Sequence, residues 1–310
     1  MRMLSAKGSH QRAVARSERA GYLIPPLMED ESLSSYWRRI VKLHGVESAR
    51  LLAREILGAP SWQLASDLPS HLGVLIGQVG ECLGTDLRTI VDFHTAYRAY
   101  AAGMDAPRQA MLLSSMIGSS SAPRLSAIRW CQRVRLAGGT FRCRACSHEQ
   151  ERRFGFSYEV RRHQLPGVGL CVDHGETLFQ TLGGQRVQTA ARACKAKVRN
   201  ELALARSYES IATLRWQDLG RCRGLLRSRL GIWDPSRVRA SDALIQHIVA
   251  LILKHSAGGF LLEATTAELC NEANVVRVLR RLASPSYPLS PLWFAHLWAV
   301  PFSPSSGWTE

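Results

Sequence analysis

Hydrophobic positions near the start of the chain recur at the three- and four-residue intervals of an amphipathic helix. These positions are Leu33, Trp37, Ile40, Val41 and His44. The acidic run 29–31 directly precedes them, where the positive end of the helix dipole favours negative charge. The same three acids could instead form a metal-binding cluster of a nuclease. Charges at a helix terminus are far commoner, so we interpret them in that way.

Three further helices are predicted before residue 101: one over Ala49–Leu57, one over 70–83 and one over 86–100. The last two are separated by Gly84, which suits a helix C-terminus, and by the capping residues Thr85 and Asp86.

Two helices joined by a short turn are compatible with a helix-turn-helix, and equally with a plain antiparallel pair. The second helix carries Arg88, Thr89 and His94, which could read a DNA groove or simply face solvent.

Helical periodicity returns after residue 186, in a segment that is basic up to residue 239. Apolar residues at 211–214 and 225–230 could form a second helix-turn-helix-like unit, or helices that only pack together. Ser241 is placed to cap a helix that ends at His255, before two glycines.

The last part of the chain predicts one more helix and an apolar segment. Thr265 and Glu268 have the spacing of a capping box, so a helix is expected to continue to Leu282. Segment 288–298 is unusually apolar. It either docks onto the core of the chain or binds a partner.

The net charge of the chain indicates the kind of partner that it could bind. The 310 residues carry a formal net charge of +15, with a pI near 10.0 and a hydrophobic share of 46%. The hydrophobic share is ordinary for a globular protein, and the charge suits a polyanion such as nucleic acid. A basic surface that only aids solubility is the alternative.

Cysteine usage and hydropathy indicate the compartment. Three of the eight cysteines belong to the ligand pairs discussed below. The other five are Cys82, Cys131, Cys194, Cys222 and Cys270. An odd remainder favours free thiols in a reducing cytoplasm over a disulfide framework. The N-terminus lacks the apolar core of a signal peptide, and run 244–253 is too short to cross a bilayer. We expect a soluble, cytoplasmic protein with no membrane partner.

Two short ligand pairs point to a metal. Cys143 and Cys146 form a C-x2-C pair, and Cys171 and His174 form a C-x2-H pair. Three thiolates and one imidazole, brought together by an intervening hairpin, fill the tetrahedral coordination of one structural zinc ion. No position is then left for a water molecule to be activated.

Nearby residues offer alternatives to this ligand set. His148 and His163 could compete with His174, and Cys143 and Cys146 could form a redox pair. The i, i+3 spacing favours His174, and a redox pair would leave the second ligand pair unexplained.

Arginines cluster around these ligands, with aromatic residues between them. The candidate nucleic-acid contacts are Arg142, Arg144, Arg152, Arg153, Arg161 and Arg162. Guanidinium groups bind phosphates bidentately, although a solvated surface would give the same composition. We interpret the aromatic residues mainly as a small core.

These elements predict a mainly α protein, with helical N-terminal and C-terminal regions around a small zinc ribbon. The N-terminal region carries the candidate helix-turn-helix. The predicted boundaries are a disordered basic arm over 1–20, an N-terminal helical domain over 21–120, the zinc-ribbon region over 121–185 and a C-terminal helical domain over 186–310.

The assembled pattern resembles the TniQ family, which includes the TnsD-like target selectors of bacterial transposons. The resemblance covers roughly residues 23 to 300. It begins at Pro25-Pro26 and the segment from Glu31 to Arg39, ESLSSYWRR. It is most specific in the two ligand pairs, Tyr158 and the segment 163–168, HQLPGV.

Some features depart from the family pattern. Ala145 and Val172 stand where the family often has proline. The sequence ends near Trp308, so we expect no long C-terminal extension of the kind that sequence-reading TnsD-like members carry. Its length is closer to TniQ forms that work with a CRISPR effector complex, in which guide RNA reads the sequence.

The resemblance implies a bacterial targeting adaptor without catalytic residues. Such a protein would engage target DNA or a DNA-bound effector, which in some systems is a CRISPR complex, and would recruit an AAA+ ATPase of the TnsC or TniB type. A homodimer is one candidate assembly. The competing hypotheses are an autonomous sequence-specific DNA-binding protein of TnsD type or a transcriptional regulator, and a zinc-dependent nucleic-acid enzyme.

Overall fold

The computed structural model describes residues 15–16, 22–46, 48–57, 68–118, 139–182, 185–187, 194–232, 242–283 and 287–300. Helices dominate this part of the chain, and two small antiparallel sheets complete it. The mainly α prediction is confirmed. The linker predicted around Ser119–Ser121 lies outside the described residues, as does the predicted basic arm except for one dipeptide.

The chain begins with strand β1 (Ala15–Arg16), which is that dipeptide and pairs with β2 (Leu23–Ile24). Helix α1 (Leu33–Leu43) follows and confirms the first predicted helix. Its N-cap is Ser32, whose hydroxyl accepts a hydrogen bond from the Ser35 backbone N–H at 3.2 Å.

Four helices follow α2, which spans Ala49–Leu57 as predicted. They are α3 (Leu72–Leu83), α4 (Leu87–His94), α5 (Tyr97–Ala102) and α6 (Ala106–Ile117). The single helix expected over 86–100 is therefore wrong. Thr95 has an extended backbone, and its hydroxyl donates to the Val91 carbonyl and accepts from the Tyr97 backbone N–H. This side chain ends one helix and begins the next, because it replaces backbone partners at both ends.

The block around the ligand pairs contains a three-stranded antiparallel sheet in the order β3 (Thr140–Arg142), β4 (Phe179–Leu182) and β5 (Gln185–Val187). Between β3 and β4 lie helix α7 (Arg144–Phe154) and a short 3-10 helix, Arg161–Gln164. The hairpin expected between the two ligand pairs is thus replaced by helical structure, and the hairpin prediction is wrong.

The remaining described elements are helical. They are α8 (Lys195–Thr213), α9 (Trp216–Leu219), α10 (Cys222–Arg229), α11 (Asp242–His255), α12 (Glu263–Leu269), α13 (Glu272–Ala283) and α14 (Pro291–Ala299). The capping-box prediction placed one helix over 265–282. The chain instead breaks at Cys270 and Asn271 and makes two.

Helix α5 joins the N-terminal and C-terminal helices, since all six of its residues are buried and it packs against both α8 and α14. Its Arg98 forms a buried ion pair with Asp92 at 2.9 Å. Beyond its end, the Gly103 carbonyl accepts the backbone N–H of Leu289 at 2.9 Å. A Cβ at Gly103 would lie 2.4 Å from the Leu289 carbonyl oxygen, so only glycine allows this approach.

The apolar segment 288–298 docks on the chain itself. Helix α14 lies in the core, where Leu292, Phe294 and Leu297 are almost fully buried. Of the helices described, none combines the length and hydropathy needed to cross a membrane.

Candidate metal centre and the surface around it

The structure brings the four predicted ligands together. The Sγ atoms of Cys143, Cys146 and Cys171 and a ring nitrogen of His174 all lie within 4.8 Å of one another. His174 Nδ1 is 3.7, 3.3 and 3.5 Å from these three sulfurs, and the sulfurs of Cys146 and Cys171 are 3.6 Å apart.

These spacings fit a tetrahedral zinc ion. Zinc–sulfur bonds of about 2.3 Å and a zinc–nitrogen bond of about 2.0 Å place two ligand sulfurs about 3.8 Å apart, and a sulfur and a nitrogen about 3.5 Å apart. The donor set and its size therefore suit zinc. Four such ligands would complete the coordination of zinc.

Local backbone structure presents each ligand pair. Cys143 is the N-cap of α7, and Cys146 lies in the first turn of that helix. On the other side, the Gly175 backbone N–H donates to the Cys171 carbonyl at 2.8 Å, and Gly175 has a φ of 64°. This tight turn folds His174 back over the sulfurs. It explains the three-residue spacing of the second pair, as the first turn of α7 explains that of the first pair.

The alternative histidines lie elsewhere. His148 is exposed on α7, and His163 is buried beside Cys171 without joining the cluster. Hydrogen bonding from the Cys146 thiol is the main cause that holds the pKa of the Cys171 thiol well below its usual value, and His163 adds to the effect.

The other two thiols shift in the opposite direction. Burial raises the pKa of Cys143 to about 11, and the pKa of Cys146 is raised by its hydrogen bond with Cys171 and by burial. A metal ion must therefore displace protons from these thiols as it binds.

Two carboxylates beside the ligands have no counterpart in the sequence analysis. Glu176 Oε2 accepts hydrogen bonds from the Cys143 thiol and the Ala145 backbone N–H, both at 3.3 Å. Glu149 Oε2 lies 3.9 Å from His174 Nε2, the ring nitrogen that faces away from the sulfurs. Such outer carboxylates orient ligands. In the sequence, the feature that could have identified Glu149 and Glu176 is that each lies within three residues of a ligand.

The segment between the ligand pairs docks rather than ligates. The Gln164 side-chain amide accepts the Phe141 backbone N–H at 2.9 Å and donates to the Phe141 carbonyl at 2.7 Å, as a neighbouring strand would. Tyr208 of α8 donates its hydroxyl proton to the Pro166 carbonyl. Gly167 has a φ of 81°, and a Cβ there would lie 2.4 Å from Leu292 Cδ1. The segment therefore fastens the metal block to α8 and α14.

A buried carboxylate of α8 strengthens this attachment. Glu201 is fully buried and accepts the backbone N–H groups of Gly169 at 3.0 Å and Leu261 at 2.9 Å. Burial raises its pKa from 4.5 to about 7, against the opposing effect of these donors.

The segment before α1 forms a matching attachment on the other side. The Ser32 backbone N–H donates to the Glu159 carbonyl at 2.8 Å, and the Glu159 backbone N–H donates to the Ser35 hydroxyl at 2.9 Å. Glu31 is fully buried and pairs with Arg39 at 2.7 Å. The acids at 29–31 are thus not simply charges at a helix terminus, because Glu31 is held in the core.

The six candidate arginines divide into two groups. Arg142 pairs with Glu159 at 3.5 Å, and Arg161 and Arg162 pair with Asp30 at 3.0 and 3.2 Å. Arg162 also pairs with Asp173 and Glu209. These three side chains connect parts of the fold.

The other three arginines are exposed on α7. Arg144 and Arg152 lie eight residues apart, hence on one face of the helix, and Arg153 lies over the Phe154 ring at 5.0 Å.

A basic groove of about 1120 Å³ runs between α1 and the three-stranded sheet. Its cations come from Arg38, Arg39, Lys42 and Arg142, and the Arg39 guanidinium lies 5.0 Å from the centre of the Phe156 ring. Glu151 and Glu159 offset part of this charge.

The first candidate helix-turn-helix is α3 and α4. On α4 the exposed side chains include Arg88, which lies 4.8 Å from the centre of the Trp216 ring. Thr89 is half-buried. His94 is buried, and its Nδ1 lies 2.8 Å from the Glu31 carbonyl oxygen. His94 therefore packs inside the fold, where it cannot reach a DNA groove.

A family model described as TniQ matches residues 22–178, which is half of the chain and spans the segment from β2 through both ligand pairs. No curated protein matches the chain.

Proposed function

Because the chain belongs to the TniQ family, whose members are associated with transposition, we propose that it is a targeting adaptor. It would bind target DNA, or an effector complex already on DNA, and recruit an AAA+ ATPase of the TnsC or TniB type. The adaptor itself performs no chemical step in this proposal.

The metal centre has a structural role in the proposal. Zinc bound by Cys143, Cys146, Cys171 and His174 fixes the start of α7 and the turn before β4 to each other. Since four protein ligands complete the coordination of zinc, the ion stabilises the block and leaves no position for a substrate.

One observation supports the adaptor role most directly. Helix α7 begins at a metal ligand and presents Arg144 and Arg152 to solvent on one face. A rigidly anchored helix with cations on its free side suits contact with a phosphate backbone or an acidic protein surface.

A reconstitution experiment tests the proposal. The chain is mixed with labelled duplex DNA and with a candidate AAA+ ATPase of the TnsC or TniB type, in the presence of ATP, and recruitment of the ATPase to DNA is measured. We expect recruitment by the wild type and a several-fold loss for the double variant Arg144→Ala/Arg152→Ala.

The matched control is Arg50→Ala/Arg54→Ala, which removes two exposed arginines from α2. Recruitment that does not depend on the chain would rule the adaptor role out. If DNA binding to one duplex persists at high salt, the alternative of an autonomous, sequence-specific DNA-binding protein is favoured, since binding through phosphates alone weakens steeply with salt.

A further inference from the structure

Helices α11, α12 and α13 form a three-helix unit with its own apolar contacts. Helix α11 packs against α13, and α13 packs against α12. The apolar side chains buried along the three helices are Ile245, Ile248, Val249, Ile252, Leu269, Val275, Val278, Leu279 and Leu282. The unit lies outside residues 22–178, so the family match does not describe it.

The connection between α12 and α13 is a tight turn. Helix α12 ends where the Cys270 backbone N–H donates to the Thr266 carbonyl at 2.9 Å. Asn271 then caps α13, since its side-chain oxygen accepts the Asn274 backbone N–H at 3.1 Å. The Asn274 amide donates back to the Glu268 carbonyl at 3.2 Å and joins the two helices. One helix followed by a helix pair with a tight turn is the order of elements in a helix-turn-helix domain.

The solvent face of α13 carries the charge. Arg277, Arg280 and Arg281 are exposed at i, i+3 and i+4, opposite the buried Val275 and Leu279. Glu272, in the first turn, is the sole acid in the sequence of this helix.

The interactions of these arginines leave them exposed. Arg280 lies 3.4 Å from Asp242, but the side chains of the pair are 62% and 85% exposed. Arg277 bonds to Asn274 of the same helix, and Arg281 lies 4.6 Å from the centre of the Tyr287 ring. Exposed pairs of this kind contribute little, so phosphate can replace them at small cost.

We propose that α12 and α13 form a helix-turn-helix that binds duplex DNA through Arg277, Arg280 and Arg281. Charge complementarity and the order of the helices favour a duplex over an acidic protein surface, which would not require the helix pair. The inference rests on the proposed function in one respect, namely that DNA is the polyanion that the chain meets.

The test compares two triple variants of the full chain. Arg277→Ala/Arg280→Ala/Arg281→Ala removes the α13 cations, and Arg50→Ala/Arg54→Ala/Arg206→Ala removes three exposed arginines elsewhere. Fluorescence anisotropy with a labelled duplex gives Kd at several salt concentrations. For the α13 variant we expect Kd to rise about tenfold or more and the salt slope to fall by about 2 to 3, since each phosphate contact contributes about 0.9.

The control variant should change Kd only about twofold, through general loss of charge. A third variant, with lysine at the three α13 positions, should keep most of the salt slope because its charge is unchanged. Thermal melts verify that all variants fold.

Each of the remaining outcomes either supports or overturns the inference. If the α13 variant binds DNA like the wild type while Arg144→Ala/Arg152→Ala does not, the inference fails and the proposed function stands. If the α13 variant loses only the ATPase, the face is a protein-docking surface and the inference is overturned. A wild type that binds no duplex overturns the inference together with direct DNA engagement. Loss of DNA binding by the α13 variant without any ATPase recruitment by the wild type supports the inference and removes the adaptor role.

Discussion

In helices α3 to α6, many buried leucine, isoleucine and tyrosine side chains pack against one another, whereas the block 139–182 buries fewer large apolar side chains and holds the four ligand atoms. Leu72, Ile90 and Met116 are fully buried in the first region. Both regions also bury polar side chains, among them Asp92 and Arg98 in the first and Glu159 and His163 in the second.

The difference indicates what stabilises each region. Apolar burial stabilises the helices at about 25 cal/mol per Å² of buried surface. The block has fewer large apolar side chains, and its polar groups gain little net free energy from pairing with one another. We therefore expect the block to depend on metal binding and on its attachments to α1, α8 and α14. Each type of interaction can be removed separately.

The largest expected effect follows from removing a ligand. Cys171→Ser should abolish binding of about one zinc ion per chain, because structural zinc contributes roughly 10–16 kcal/mol in small zinc-binding peptides and that energy stabilises the fold. Metal analysis reports the lost zinc. Hydrogen exchange should show that residues 139–182 lose protection to a greater extent than α3 to α6.

Leu112→Ala is the matched control in the helical region, where Leu112 is 2% exposed. It should lower the free energy of unfolding by about 2–5 kcal/mol and leave the zinc content unchanged. Well-folded wild type without bound zinc would contradict the assignment of the metal centre.

The attachment through Glu201 predicts a pH dependence. Its pKa is about 7 in the folded chain and near 4.5 when unfolded, so the folded state retains the proton between these values. The stabilising contribution is fully present below pH 4.5 and is lost as pH rises to about 7, by an amount on the order of 3 kcal/mol.

Glu201→Gln removes this titration. Denaturant unfolding between pH 5 and 7.5 should show that the free energy of unfolding falls less with rising pH in the variant than in the wild type. The difference between the two proteins should be on the order of the 3 kcal/mol that the pKa difference gives. Equal slopes for the two proteins would show that Glu201 ionises normally.

The smallest effects separate the two groups of arginines. The Arg161 side chain is 10% exposed and pairs with Asp30, so Arg161→Ala should destabilise the chain by about 1–3 kcal/mol. Arg152 is exposed, so Arg152→Ala should change stability by less than about 0.5 kcal/mol. Thermal melts of the two variants distinguish them, and equal shifts would contradict the division.

Local signals explain what could be predicted. The ligand spacing in Cys143–Cys146 and Cys171–His174 depends on tight turns within a few residues, and the structure brings these four together. The periodicity of α1 and α2 likewise depends on near neighbours, and both helices occur where they were expected.

Short-range competition explains the helix errors. Thr95 divides a predicted helix, and Cys270 and Asn271 divide another, because side chains there provide alternative partners for the backbone. Helical periodicity alone does not reveal where a side chain replaces a backbone hydrogen-bond partner. The break at Cys270 and Asn271 creates the α12–α13 pair that we propose to bind DNA, whereas the burial of His94 argues against α3–α4.

The sequence by itself determined the family, the candidate ligand set and most of the helices, since each of these is encoded by residues close together in the chain. Only the tertiary structure decided which charges are free. Asp30 and Arg161 are 131 positions apart, and Glu31 and Glu201 look like ordinary surface acids until packing buries them. Such long-range partners depend on how helices and the metal block meet, which no local pattern specifies.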